Sequence, residues 1–131
     1  MTQQINWLEE VHNRKDDLIK DTQAFLQIKS VYDEGTISKH APMGEGIAQA
    51  LEFLLNKGEN EGFEVKNVDG YAGHIEHGKG SELIGVLCHV DVVPEGEGWT
   101  TPPYAAEIRD GKIFARGAID DKDRRWLPFM L

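Results

Sequence analysis

A histidine and an aspartate stand two residues apart at the end of an apolar run in GVLCHVDVVPEGEGW, residues 85–99. In a β-strand, side chains at positions i and i+2 point to the same face, so His89 and Asp91 would project together. A neutral imidazole is a good zinc ligand, and its second nitrogen commonly donates to a carboxylate. Taken alone, the spacing favours a simpler arrangement, a His–Asp pair at a strand end without a metal.

Two adjacent aspartates, Asp120 and Asp121, occur in ARGAIDDKD, residues 115–123. A carboxylate that bridges two divalent cations is kept ionised by their charge, so one of the pair could serve a two-metal site. Aspartate is also favoured at helix N-caps, and the pair taken alone favours that structural role. Cys88 adjoins His89, but neighbours in a strand face opposite ways, so we expect a core cysteine and not a thiol nucleophile.

Periodicity predicts the elements that position these residues. Apolar spacings of three and four predict a helix over residues 5–26 and another over residues 45–61. Alternating segments predict hairpins with turns at residues 69–70 and 110–111. The apolar run ELIGVLCHVDVV, residues 82–93, predicts a central strand with the site at its carboxyl end. The expected class is therefore α/β, with a mixed sheet flanked by helices.

Composition limits which binding partners and which cellular compartment we expect. The chain has 131 residues, 40% of them hydrophobic, which suffices for the core of one domain. Its formal net charge of −9 would repel nucleic acid and anionic membranes, so we expect neither as a partner. The N-terminus does not resemble a signal peptide, and no apolar run reaches the length of a membrane span. With a single cysteine, these features predict a cytoplasmic protein.

Considered together, the two acidic stretches resemble a known family. HVDVVP, GWTTPPY and DGKIFARGAIDDK are similar in sequence and spacing to the PepV-type dipeptidases. These belong to the two-metal metallopeptidases that include aminoacylase and carboxypeptidase G. The flanking stretches APMGEGIAQALEFL, NEGFEV and GYAGHIEHGKG resemble the PepV branch in particular. The resemblance extends from the first helix to Lys122.

The resemblance implies a fold, a cofactor and three residue roles. The fold would be the N-terminal part of a zinc-peptidase-like catalytic domain. His89 would bind one of two divalent ions, zinc or manganese, and Asp120 would bridge both. Asp91 would be the catalytic residue that orients His89. Two such ions activate a water and polarise the scissile carbonyl, so the implied function is hydrolysis of a dipeptide substrate.

The last residues depart from the family pattern. The family has Gly after the lysine, whereas Asp123 follows here, and DRRWLPFML is unlike the family's continuation. If one base is deleted from a possible DNA sequence for the family's usual continuation, the shifted reading frame encodes this tail followed by a stop codon. We therefore expect a frameshift. The sequence thus predicts two regions, 1–122 from the catalytic domain and 123–131 as an out-of-frame tail. We expect this chain itself to be inactive, because the family's glutamate base and further ligands are missing. The alternative is a non-catalytic remnant or binding module that keeps part of the fold.

Overall fold

Two α-helices, one short 3-10 helix at Glu34–Thr36 and four short strands make up the regular structure of the described residues. The computed structural model describes residues 4–120 and residue 122. The proposed tail, residues 123–131, and Asp121 lie outside the described residues, so the predicted boundary after residue 122 stays a prediction. The described elements combine helices with sheet, and the predicted α/β class is confirmed.

The two helices pack against each other to form the core. Helix α1 spans Trp7–Leu26 and helix α2 spans Glu45–Asn60, so both predicted helices are confirmed. The rings of Phe25 and Phe53 stack with centroids 5.5 Å apart, and each comes from a different helix. Ala50 and Leu54 of α2 belong to the same buried cluster as Phe25. The helices bury four further apolar residues: Leu26, Ile47, Leu51 and Leu55. Within the described part of the chain, neither helix is both long and apolar enough to cross a bilayer.

An ion pair links the exposed side of the same two helices. The Lys57 ammonium on α2 lies 2.7 Å from an Asp21 carboxylate oxygen on α1. Its hydrogen bond to Asp21 raises the pKa of Lys57 above the ordinary value of 10.5. Both side chains are 29% exposed, so water screens the attraction only partly. The pair therefore helps to fix how α1 lies along α2.

Both predicted hairpins are confirmed. Strand β1, Glu64–Val68, pairs antiparallel with β2, Ala72–Glu76, and β3, Glu107–Arg109, pairs antiparallel with β4, Lys112–Phe114. Each turn contains an Asp-Gly pair with positive φ at both residues, which suits the right-handed twist of a hairpin. The first hairpin packs on α2, where glycines leave room for apolar side chains of the other element.

The predicted central strand at residues 82–93 is wrong. This segment is extended but forms no strand, and the described sheets are two separate antiparallel hairpins instead of one mixed sheet. Leu87 is fully exposed and Ile84 is 93% exposed. The reason is that a strand needs a hydrogen-bonded neighbour, whereas each described strand pairs within its own hairpin. Cys88 is likewise exposed, so the prediction of a core cysteine is also wrong.

Candidate metal centre

The imidazole of His89 lies between two carboxylates. Its Nδ1 is 3.1 Å from the backbone oxygen of Asp91 and 3.2 Å from Oδ1 of the same residue. Its Nε2 is 3.7 Å from Oδ1 of Asp120. The side chains of His89, Asp91 and Asp120 are 49%, 58% and 81% exposed. The structure thus brings together three residues that stand 31 positions apart at most and leaves them open to solvent.

The two ring nitrogens have different surroundings. Nδ1 faces two oxygen acceptors on Asp91, so the ring proton of a neutral His89 belongs on Nδ1. The lone pair of Nε2 then faces Oδ1 of Asp120, which is also an acceptor. Two acceptors that face each other in this way can share a proton or a cation. The arrangement therefore has the donor chemistry of a cation site at Nε2.

The separation of these two atoms fits a shared ion. Zinc binds nitrogen and oxygen at about 2.1 Å with tetrahedral angles, which sets two ligands about 3.4 Å apart. The observed 3.7 Å between Nε2 of His89 and Oδ1 of Asp120 is close to that value. Among residues 4–120 and 122, no cluster of three or more His, Cys, Asp or Glu side chains forms a ready metal site. The described chain therefore supplies a pair of direct donors, fewer than the three protein ligands of an ordinary catalytic zinc.

A buried serine holds the segment that carries His89. Ser30 follows helix α1 and is fully buried. Its Oγ donates to the backbone oxygen of Val90 at 2.7 Å, and its own backbone oxygen accepts from the N–H of Val92 at 2.9 Å. Val92 is buried as well. These two bonds hold the residues around His89 in place. The described residues show no sheet pairing that would otherwise hold this segment.

A buried lysine holds the segment that carries Asp120. Lys122 is fully buried, and its Nζ donates to the backbone oxygens of Phe25 at 3.1 Å and Ile28 at 2.8 Å. The ammonium also lies 4.7 Å from the centroid of the Phe25 ring. Sequence reasoning missed both Ser30 and Lys122. The only available signal was the lysine directly after an acidic pair, and nothing in the sequence indicates that it is buried.

A third cluster fixes the loop that follows the candidate site. Lys29 lies 2.9 Å from Oε1 of Glu95, and the hydroxyl of Tyr104 donates to Oε2 at 3.0 Å. The backbone oxygen of Glu95 accepts from Nε1 of Trp99 at 2.7 Å and from Arg116 at 3.2 Å. The glutamate therefore joins a residue just after α1 to three residues of the later loops.

The same contacts displace two pKa values. The hydrogen bond from Lys29 lowers the pKa of Glu95 from 4.5 to about 2, and the bond from Tyr104 acts in the same direction. Burial raises the pKa of Tyr104 from 10.0 to about 12, and the bond to Glu95 adds to the shift. Glu95 is thus a carboxylate and Tyr104 a neutral phenol across the physiological range. The loop is held by a permanent charge-assisted bond.

Comparison with known proteins connects this geometry to an enzyme family. The profile of Peptidase family M20/M25/M40 matches residues 85–123, the stretch that contains all three site residues. The "Putative dipeptidase YtjP" of Bacillus subtilis (strain 168) is 61% identical over 118 residues, 90% of this chain and 26% of the relative. The "Putative dipeptidase" of Staphylococcus epidermidis (strain ATCC 12228 / FDA PCI 1200) is 42% identical over 116 residues, 88% of this chain and 25% of the relative.

These matches extend beyond the residues of the candidate site. They cover about nine-tenths of the chain, and the predicted resemblance to dipeptidases of a peptidase family is confirmed. The chain spans about a quarter of the length of the curated relatives that it matches.

Proposed function

We propose that this chain is the N-terminal part of the catalytic domain of a metal-dependent dipeptidase. The observation that carries the proposal is the facing pair of His89 Nε2 and Asp120 Oδ1, 3.7 Å apart within the stretch similar to the peptidase family. The substrate would be a dipeptide and the compartment the cytoplasm, and we propose neither nucleic acid nor membrane as a partner. The names of the relatives support the substrate, the acidic composition disfavours nucleic acid and anionic membranes, and the single cysteine suits the cytoplasm.

Each site residue has a distinct proposed role. His89 would bind a zinc or manganese ion through Nε2, and Asp120 would bridge that ion to a second one. Asp91 would accept the Nδ1 proton of His89 and so hold the imidazole in the tautomer that presents Nε2. When bound, the ions would supply Lewis acidity toward the scissile carbonyl and acidify a water. The exposed Asp120 carboxylate leaves room for a small substrate to approach.

A second candidate function is favoured by the donor count. Within the described residues, His89 and Asp120 are not joined by a third donor in a metal-binding cluster. A chain with that donor set would act as a non-catalytic remnant or a binding module, which keeps part of the fold and loses turnover. The two candidates differ in whether residues 1–122 support dipeptide hydrolysis once they are joined to the remaining sequence of a relative.

A chimera tests the proposal. Residues 1–122 would replace the matching segment of the Bacillus subtilis relative, with the intact relative measured in parallel. We expect the chimera to hydrolyse unblocked dipeptides, to lose activity after chelation, and to recover it with zinc or manganese. His89→Ala should abolish turnover, whereas His74→Ala, at an exposed position of β2, should leave it unchanged. A folded but inactive chimera beside an active relative, or a fully active His89→Ala chimera, would overturn the proposal.

A further inference from the structure

The burial of Lys122 calls for an explanation, because lysine is almost never fully buried unless it is paired. Its ammonium donates to the backbone oxygens of Phe25, in the last turn of α1, and of Ile28, two residues after the helix ends. The last four carbonyls of a helix have no partner within the helix, and the helix dipole makes that end negative. The last turn of α1 contains no basic residue of its own. Lys122 supplies a positive charge to this helix end, although it lies 97 residues after Phe25 in the sequence.

The same helix end also holds the other half of the candidate site. Ser30, two residues after Ile28, bonds to Val90 through its hydroxyl and to Val92 through its backbone oxygen. The segment with His89 and the segment with Asp120 are therefore both attached to residues 25–30. Their relative position depends on one short piece of chain.

The two attached segments are also in direct contact. Gly117 is buried and has φ of +87°, and a Cβ at this position would lie 2.9 Å from Cγ1 of Val92 and 3.3 Å from Cδ of Lys122. The backbone of the Asp120 loop therefore lies against the side chain of Val92, from the His89 segment, and against that of Lys122. A displacement of Lys122 would move this loop relative to Val92 and thus relative to His89.

We propose that Lys122 is a positioning residue that sets the separation of His89 and Asp120 by tying the Asp120 loop to the C-terminal end of α1. The inference rests on the proposed function, since it assigns that separation to binding of a divalent ion. Lys122 acts through Asp120, two residues earlier in the chain, and Ser30 has the corresponding role for His89. Residues that hold a metal ligand in place typically change metal affinity about tenfold to a hundredfold when they are replaced.

The experiment compares Lys122→Met with a matched control in the full 131-residue chain. Methionine keeps the length of the side chain and removes the ammonium. Lys112→Met makes the same change at an exposed position of β4. Ser30→Ala is the second variant, because it removes one hydroxyl and retains the backbone bond to Val92. Circular dichroism first establishes that each variant keeps the helix content of the parent chain.

Two nuclear magnetic resonance measurements follow. The first is the nuclear Overhauser effect between the ring protons of His89 and the β protons of Asp120, measured without metal. We expect this effect in the parent chain and in Lys112→Met, and its loss in Lys122→Met. The second is Mn²⁺-induced broadening of the His89 and Asp120 amide signals. We expect one common midpoint in the parent, raised about tenfold or more in Lys122→Met and by a smaller factor in Ser30→Ala.

The outcomes separate the positioning role from the metal site. An unchanged Overhauser effect in folded Lys122→Met would overturn the positioning role, whatever the metal data show. An Overhauser effect that Lys122→Met abolishes, in a parent chain without Mn²⁺ broadening, would support positioning and contradict the proposed metal site. If Lys122→Met does not fold, equal Mn²⁺ midpoints in Ser30→Ala and the parent would overturn the shared attachment of the two segments to residues 25–30.

Discussion

Gly46, at the start of α2, offers a sharp test of how the helices support the site. Alanine is normally better than glycine inside a helix by about 1 kcal/mol, so Gly46→Ala would ordinarily stabilise the chain. Here the added methyl group would come far closer to the backbone oxygen of Lys29 than the sum of their van der Waals radii allows, with the Cα of Ser30 3.4 Å away. A backbone oxygen cannot rotate aside as a side chain can. Overpacking of this kind costs about 1–3 kcal/mol or more, so steric repulsion outweighs helix propensity.

The same substitution at Gly58, later in α2, is the control. A methyl group there would lie 2.9 Å from Cγ2 of Ile75, a side-chain carbon that can shift without moving the backbone. Urea unfolding followed by circular dichroism should show that Gly46→Ala lowers the free energy of unfolding by about 2 kcal/mol more than Gly58→Ala. Because Ser30 follows Lys29, Gly46→Ala should also weaken Mn²⁺ binding. A Gly46→Ala chain as stable as the parent would refute the claim that α2 is pressed against residues 29–30.

Three further outcomes follow from the contacts of the site and its loop. Because the pKa of Glu95 is lowered to about 2 from 4.5, its contribution to stability is complete above pH 4.5 and is lost as the pH falls toward 2. As the pH is lowered, the urea midpoint of unfolding should therefore fall less in Glu95→Gln than in the parent chain. Equal dependence of the two midpoints on pH would contradict this. Asp91→Asn should reduce zinc affinity about tenfold to a hundredfold in calorimetric titrations, because the amide holds the His89 ring less firmly; unchanged affinity would exclude a positioning role for Asp91. The isolated 131-residue chain should show no dipeptide hydrolysis with added zinc or manganese, because the described residues lack a three-donor cluster; metal-stimulated turnover would contradict that prediction.

The local features of the fold were predictable because local sequence determines them. Apolar spacing defines α1 and α2 through the contact of one face of each helix with the other. Asp69-Gly70 and Asp110-Gly111 define the hairpins, since both turn residues adopt positive φ. His89 and Asp91 were predicted to project together on the premise of a strand; their side chains are in contact although that strand does not form in the described residues.

The remaining features depend on contacts between distant residues. The apolar composition of residues 82–93 predicted a strand, but an apolar run does not specify which segment pairs with it in a sheet. The described residues form no strand there. The attachments through Ser30 and Lys122 join residues 60 and 94 or more positions apart and follow no periodic pattern. The approach of Asp120 to His89 was expected only from the family resemblance, because two separate motifs contain no information on their distance.

The most direct test of the central claim is zinc titration followed through the ring nitrogens of His89. The geometry predicts that zinc shifts the Nε2 resonance while Nδ1 keeps its proton toward Asp91, since the two nitrogens face different partners. Asp120→Asn should weaken that binding about tenfold or more, whereas Asp110→Asn, in the exposed turn between β3 and β4, should not. Long-range proton–nitrogen correlation spectra report both nitrogens at once. Zinc binding at Nδ1, or an affinity unaffected by Asp120→Asn, would contradict a metal site shared by His89 and Asp120.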